Sequence, residues 1–299
     1  MIPGAEPYRP PTPDVNRAEL RQYVGAYFKI SGWYTTAAII FQIGAVALAT
    51  LPQVRDVFDP YTHWLVLGLA LTAPLARLRG DEAKREADHI LRRIELSDGM
   101  GTPIPRLEVE EVIEDATAMV GCLARREELD LTPYASRLGP GPGRLLENIQ
   151  ESAWWSTRLA RELSRWETFW GVVLIVACSA ALYHFATYVP DAGPAPTYAR
   201  DVAEFAATLL VFIFAEGYHR RGREFDAFAR TANRVFEKGT RLKKRDGGAA
   251  PEDALGLAMD YFLARQASPR ISTIWYRFRK DRLNAAWTRA QADDQVPSA

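Results

Sequence analysis

The side chains that most often carry chemistry are spread thinly along this chain. Its four histidines, His63, His89, His184 and His219, fall in no metal-ligand spacing. No HExxH, GxSxG or cysteine cluster occurs, and the two cysteines, Cys122 and Cys178, imply no disulfide framework. The GPGPG run at 139–143 invites a phosphate-loop reading and fails it. No Gly-Lys-Ser/Thr follows, no strand pattern precedes, and its prolines remove the N–H groups that would cradle a phosphate. It reads as a turn opening the next helix. Asp88 and His89, adjacent on a charged stretch, are expected to face solvent. These absences argue against an enzyme and imply no metal or cofactor.

The polar residues with consequence are those placed where polarity is costly. Gln42, His184 and Glu216 lie in otherwise apolar segments, where such groups usually face a protein interior or a water path. Gln42 is nearest the middle of its segment and reads equally as a pore-lining group or as interhelical glue. His184 and Glu216 lie near segment ends and could reach an interface. A second set, Arg241, Lys243, Lys244 and Arg245, ends a strongly basic stretch. Such a run serves topology and lipid contact, or attracts an anion: lipid headgroups or a nucleotide.

The elements that carry these residues are four apolar segments arranged as two hairpins, at 34–51, 64–78, 170–189 and 202–218. A transmembrane helix needs about 20 apolar residues, with a range of roughly 17–25. The third segment meets this and the first is close; the second is short and carries Pro74, and the fourth holds Glu204 and Glu216. Aromatic residues cluster at the ends: Trp33, Tyr34, Tyr61, Trp64, Trp166, Trp170, Tyr188, Tyr198 and Tyr218. The hairpin loops hold only Arg55 and Arg200 of 37 Lys and Arg. The positive-inside rule then places both termini and the middle of the chain in the cytoplasm. The N-terminal stretch is Pro-rich without an apolar core and reads as a disordered tail, not a secretory signal.

The second half echoes the first. Shifted by 142 residues, Arg79, Gly80, Glu82, Ala87, Arg92 and Glu95 coincide with Arg221, Gly222, Glu224, Ala229, Arg234 and Glu237. This suggests a weak parallel repeat of one unit, a hairpin whose second helix continues as a stalk. Ala83, Ala87, Ile90 and Ile94 form one apolar helical stripe, and Phe225, Ala229, Ala232 and Phe236 another. A first helix is expected from Asn16, with Glu19 as capping partner. One helix is expected over 107–131, and a long one from Arg144 through the third segment. The net charge of zero hides segregation: 106–130 holds three basic and eight acidic residues, 218–245 ten basic and three acidic. These two surfaces are expected to pair with each other or with a neighbouring subunit.

The resulting expectation is an all-α protein with four transmembrane helices in two hairpins, whose long helices continue into a helical cytoplasmic domain. Its divisions are a tail at 1–16, a cytoplasmic or interfacial helix at 17–33, hairpins at 34–78 and 167–218, helical regions at 79–166 and 219–290, and a tail at 291–299.

Two further stretches carry a resemblance. One is 145–158, with Asn148, Gln150, Glu151, Ser152, Trp154, Trp155 and Ser156, leading into the third segment. The other is 261–276, YFLARQASPRISTIWY. With two hairpins in a chain of this length, they resemble the SMODS-associated four-transmembrane effectors, related to the SLATT group of bacterial defence proteins. The resemblance implies a multi-pass protein of the bacterial inner membrane that acts in antiviral, abortive-infection defence. It implies a homo-oligomer that permeabilises the membrane in response to a cyclic nucleotide, a nucleotide-synthesising enzyme or a sensor partner. Membrane lipid is the other expected partner, and no direct nucleic-acid contact is implied. The alternative is a membrane anchor or scaffold for a signalling partner, without a pore.

Overall fold

The structure, a computed structural model, describes residues 15–50, 57–58, 61–127, 136, 138–188, 205–209, 218–244, 249–271 and 273–294. It is all-helical, with no strand among the described residues. The helices are α1 (Val15–Thr50), α2 (Thr62–Met100), α3 (Arg106–Asp115), α4 (Ala118–Ala124), α5 (Pro142–Tyr188), α6 (Tyr218–Lys243), α7 (Pro251–Ala267) and α8 (Thr273–Asp294). Much of the first hairpin loop, all of the second and most of the fourth apolar segment, with Glu216, lie outside the described residues, as do Arg245 and the N-terminal tail.

Local chemistry sets most helix ends. Pro142 and Pro251 open α5 and α7, where a missing N–H costs nothing. Glu252 and Asp253 in the first turn of α7 and Arg265 in its last complement the helix dipole. The turn before α5 depends on Gly101, whose φ of 77° suits glycine and whose missing Cβ leaves room for Pro140. The single helix expected over 107–131 is instead two. Ala116 is extended, and Thr117 restarts the chain as the N-cap of α4, its hydroxyl accepting from the Val120 N–H. The expected capping pair at Asn16 also resolves differently. The chain is already helical at Val15, Asn16 donates to the Ile104 carbonyl, and Glu19 pairs with Arg106.

The chain divides into two compact units. Unit 1 comprises Met1–Ile30, Ala83–Ala160 and Ala227–Ala299; unit 2 comprises Ser31–Glu82 and Arg161–Asp226. All four apolar segments fall in unit 2, and α1, α2, α5 and α6 each have residues in both.

Unit 1 is built on the apolar stripes. Ala83, Ala87, Ile90 and Ile94 of α2 are all buried; the last three pack with Leu20, Val24, Ile104 and Val109. Ala229 and Ala232 of α6 are fully buried, as are Leu257 and Ala258 of α7. Asp98 ties α1, α2 and α5 together. It accepts from Arg17 at 2.8 Å, from the fully buried Arg144 at 3.1 Å and from Asn148 at 2.8 Å. A buried guanidinium is tolerable only when satisfied in this way. The acidic and basic stretches each make ion pairs with other parts of unit 1. Glu108 pairs with Arg93 and Glu127 with Lys29, whereas Lys243 and Lys238 of α6 pair with Glu147 and Asp260.

Unit 2 shows one crossing geometry twice. Gly80 of α2 lies against Ser31, Tyr34 and Thr35 of α1, where an added Cβ would sit 3.2 Å from the Ser31 carbonyl oxygen. Gly222 of α6 lies against Ser164 and Thr168 of α5, where an added Cβ would sit 2.7 Å from Thr168 Oγ1. Ser164 Oγ also donates to the Gly222 carbonyl at 2.8 Å. The partner segments read alike, Ser31-Gly-Trp-Tyr-Thr35 and Ser164-Arg-Trp-Glu-Thr168. The glycines stand out in the sequence as a repeat at an offset of 142, whereas the Ser-x-Trp-x-Thr segments that receive them follow a different offset.

Candidate functional site

Unit 1 carries a half-open pocket of about 590 Å³, within the range typical of small-molecule sites. Its floor is a buried ionic cluster. Arg265, in the last turn of α7, reaches Glu95 through Nη1 at 2.9 and 3.0 Å and approaches Asp88 through Nε at 3.3 Å. Lys84 pairs with Asp88 at 2.9 Å and donates to the Arg265 and Gln266 carbonyls at 3.2 and 3.0 Å, closing the C-terminal end of α7. Asp88 is therefore buried, not solvent-facing as expected. The helix period placed it beside Ala87, but α7, some 180 residues away in sequence, covers it. Its neighbour His89 is exposed.

The electrostatics follow from this burial. Desolvation opposes the charge of Arg265, but Glu95, Tyr261 and Asp88 outweigh it and hold its pKa above the ordinary arginine value. Tyr261 is pushed upward, chiefly by burial. Its hydroxyl exchanges a 2.8 Å hydrogen bond with Ser156 and lies 3.3 Å from the Ser152 carbonyl, while the Arg265 guanidinium lies over its ring. Burial lowers the pKa of Arg270, which also lines the cavity.

The walls are aromatic. Trp155 of α5 and Tyr276 of α8 pair with centroids 6.0 Å apart, and Phe28 of α1 and Phe228 of α6 add further apolar surface. The preceding residue on α5, Trp154, packs against Trp287 at 5.2 Å under the Arg158 guanidinium, and so fixes α8 on α5. The two stretches singled out in the sequence, 145–158 and 261–276, thus converge: both supply the walls and floor of one cavity. Chemically this is a slot for a planar or apolar ligand with polar groups at one end.

The basic residues chosen from sequence lie elsewhere. Arg241 and Lys244 are exposed, Lys243 contacts Glu147 at 2.6 Å, and none of the three lines the cavity. Among the described residues no cluster of His, Cys, Asp and Glu could hold a metal ion.

In unit 2, Gln42 faces inward on α1, on the stripe of the buried Ala38 and Ala45, and its Oε1 accepts from Arg77 Nη2 at 3.4 Å. Arg77 was not among the expected site residues. It lies inside the second apolar segment, but one residue from its end, and segment hydropathy averaged it away. His184 falls in the last turn of α5, where its side chain lies outside the described residues, as does all of Glu216.

Among the described residues two helices are long and apolar enough to cross a membrane: Val15–Thr50, and α5 over Pro142–Tyr183. Only 22% and 11% of their apolar windows are buried within the protein. No family model, curated protein or solved structure matches the chain.

Proposed function

We propose that this protein is an oligomeric membrane effector whose unit 2 permeabilises the bacterial inner membrane in antiviral defence, under control of a small ligand bound in the unit 1 cavity. One observation carries the reading: the apolar stretches of two long helices, α1 and α5, are little covered by the rest of the protein, with 22% and 11% of their residues buried. A core helix of a water-soluble protein buries its apolar face, and soluble monomers rarely leave apolar patches above a few hundred Å². Here Trp64, Leu71, Phe169 and Val176 are each more than half exposed. Lipid, or further copies of the chain within lipid, is the environment that makes such a surface stable.

Four membrane-spanning helices follow if the second and fourth apolar segments join α1 and α5. The matched Gly80 and Gly222 crossings support reading the two hairpins as copies of one unit. Two short hairpins enclose little space within one chain, so a homo-oligomer is the economical route to a pore. The Gln42–Arg77 pair is the polar seam on the page that could line it. The resemblance to four-transmembrane defence effectors supplies the biological setting and makes a cyclic nucleotide the ligand to try first in the cavity.

The test is dye release from liposomes of bacterial lipid containing the reconstituted full chain, with and without cyclic di- and oligonucleotides. We expect ligand-dependent release, reduced by Gln42→Leu at equal insertion and abolished by Trp155→Ala. An inserted protein that releases no dye under any of these conditions is an anchor or scaffold, not a pore.

A further inference from the structure

We propose that unit 1 associates head to tail with unit 1 of a second copy of this chain, the acidic outer face of α3 on one copy seating against the basic outer face of α6 and α7 on the next. This rests on the homo-oligomer of the reading above and names the surfaces that would make it.

The segregation of charge is the starting point. Counted over every residue, 106–130 carries eight acidic and three basic residues, and 218–245 ten basic and three acidic. In unit 1 the two stretches stand on different supports. α3 buries Val109 against Leu20 and Val24 of α1 and Ala87, Ile90 and Ile94 of α2. α6 lies on α5, where Gly239 approaches Gln150, and on α7, where Phe228 pairs with Tyr261 at 6.4 Å. Each helix turns its remaining side outward. On α3, Leu107, Glu110, Glu111 and Glu114 recur at helical spacing and are all exposed, as is Asp115. Arg106, which pairs with Glu19 and Glu110, is the cation among them. On α6, Arg234, Lys238 and Arg241 are exposed at the same kind of spacing, and so is Lys244 just beyond the helix. Arg234 and Arg241 donate to the neutral Thr231 hydroxyl and Glu237 carbonyl oxygens, so those bonds leave their charge in place. Glu237 and Asp260 are the carboxylates among these cations, and the excess stays positive.

Charge steers and orients an encounter, while apolar contact at the centre of an interface holds it. Both faces have that contact to offer. α7 carries an exposed ridge, Leu255, Met259 and Leu263, at i, i+4 and i+8. The approach of Lys238 to Asp260, at 3.7 Å, sets this ridge beside the basic face of α6. Gly256, next to Leu255, has nothing within 4 Å of the place a Cβ would take, so the ridge borders an open groove. On the acidic side Leu107 is 67% exposed, and Met119 of α4 is exposed as well. Each face therefore sets apolar side chains among charges of one sign, and the two signs are opposite. Like faces repel, which disfavours a symmetric pairing of either face with itself. Unlike faces on one chain make a heterologous contact, which repeats from copy to copy and closes into a ring where the rotation allows. An anionic lipid surface would use the basic face alone; the matching acidic face commits the partner to another copy.

The test is the mass of the full chain in detergent, by light scattering, for the wild type and three variants. One reverses the acidic face, Glu111→Lys with Glu114→Lys; one reverses the basic face, Arg234→Glu with Arg241→Glu; the third carries all four changes. The wild type should be an oligomer, and each single-face variant should fall to the monomer. The fourfold variant, whose faces have exchanged signs, should assemble again, and so should an equal mixture of the two single-face variants. A fourfold variant that stays monomeric overturns the pairing. So does an unchanged mass in every variant, which leaves the homo-oligomer standing on other surfaces. An effect of the basic-face reversal alone also overturns it and assigns that face to anionic lipid. A monomeric wild type removes the homo-oligomer and this interface together. Masses that follow the expected pattern in a protein that releases no dye leave the interface standing and remove the pore.

Discussion

Replacing Arg265 by methionine would leave the Glu95 carboxylate buried without the Nη1 donor that its two oxygens share. Removing one partner of a buried ion pair typically costs about 3–5 kcal/mol, whereas replacing both by apolar groups is often close to neutral. We therefore expect Arg265→Met to lower the chemical-unfolding stability of unit 1 strongly, and Arg265→Met with Glu95→Met to recover most of the loss. Additive losses in a double-mutant cycle would show that the two residues do not act as a pair. Burial also makes alkaline pH a probe of this site. Tyr261 and Tyr27 both have pKa values raised above 10.0, mainly by burial, with nearby carboxylates adding to the effect. The folded state then holds these protons more tightly than the unfolded one. Stability is fully present below pH 10.0 and falls as the pH rises through the folded-state values. Tyr261→Phe should cost about 1 kcal/mol at neutral pH by losing its bond to Ser156 and should flatten part of the alkaline decline. An unchanged decline in that variant, followed by circular dichroism, would assign the effect to other groups. Little of this cluster is visible in the sequence. Lys84 and Asp88 read as an ordinary i, i+4 pair on a charged stalk, because the helix that buries them is remote in the chain.

Helices were far more legible than the contacts between them. The stripes on α2 and α6 follow from a 3.6-residue period, and the structure buries Ala87, Ile94, Ala229 and Ala232 fully. The break at Ala116 was missed because the apolar period runs on across it while Thr117 caps a new helix. The Arg79-Gly80 and Arg221-Gly222 matches located two crossing points, but not the Ser-x-Trp-x-Thr surfaces facing them, which lie on partners of different sequence offset. These crossings make a prediction at the level of elements. A glycine at a tight crossing works by what it lacks, so Val at Gly80 or Gly222 must push α2 from α1 or α6 from α5. We expect each substitution to cost about 1–3 kcal/mol, outweighing the usual helix-interior penalty of glycine, which is about 0.5–1 kcal/mol. Melting of the detergent-solubilised protein measures this. A control at Gly256, which has nothing within 4 Å, should be neutral or stabilising when changed to Ala. Equal effects at all three positions would leave the crossings without special weight.

At the scale of the whole molecule, the two units sort their side chains by different rules. Unit 1 closes an apolar core and satisfies its buried charges through Asp98 and Arg265, as a domain in water must. Unit 2 places alanine, serine and glycine inside and leucine, valine and tryptophan outside, which is the pattern of helices that pack closely and present their large side chains to lipid. The zero net charge and ordinary composition conceal this, since they average a charged unit with an apolar one. The inversion leads to a fractionation test that does not depend on any ligand. A peripheral protein held by charge leaves membranes in alkaline carbonate or high salt, because both weaken surface electrostatics. A chain held by apolar helices stays until detergent replaces the lipid around them. The full chain should therefore remain in the membrane pellet through both washes and appear in the soluble fraction only with detergent. Arg77→Gln, whose side chain faces inward, should leave this unchanged, whereas Leu71→Lys with Val176→Lys should reduce insertion, because their exposed faces would then carry charges into hydrocarbon. Release of the wild type by carbonate alone would mean that the exposed leucines and valines of unit 2 are covered by protein instead of lipid.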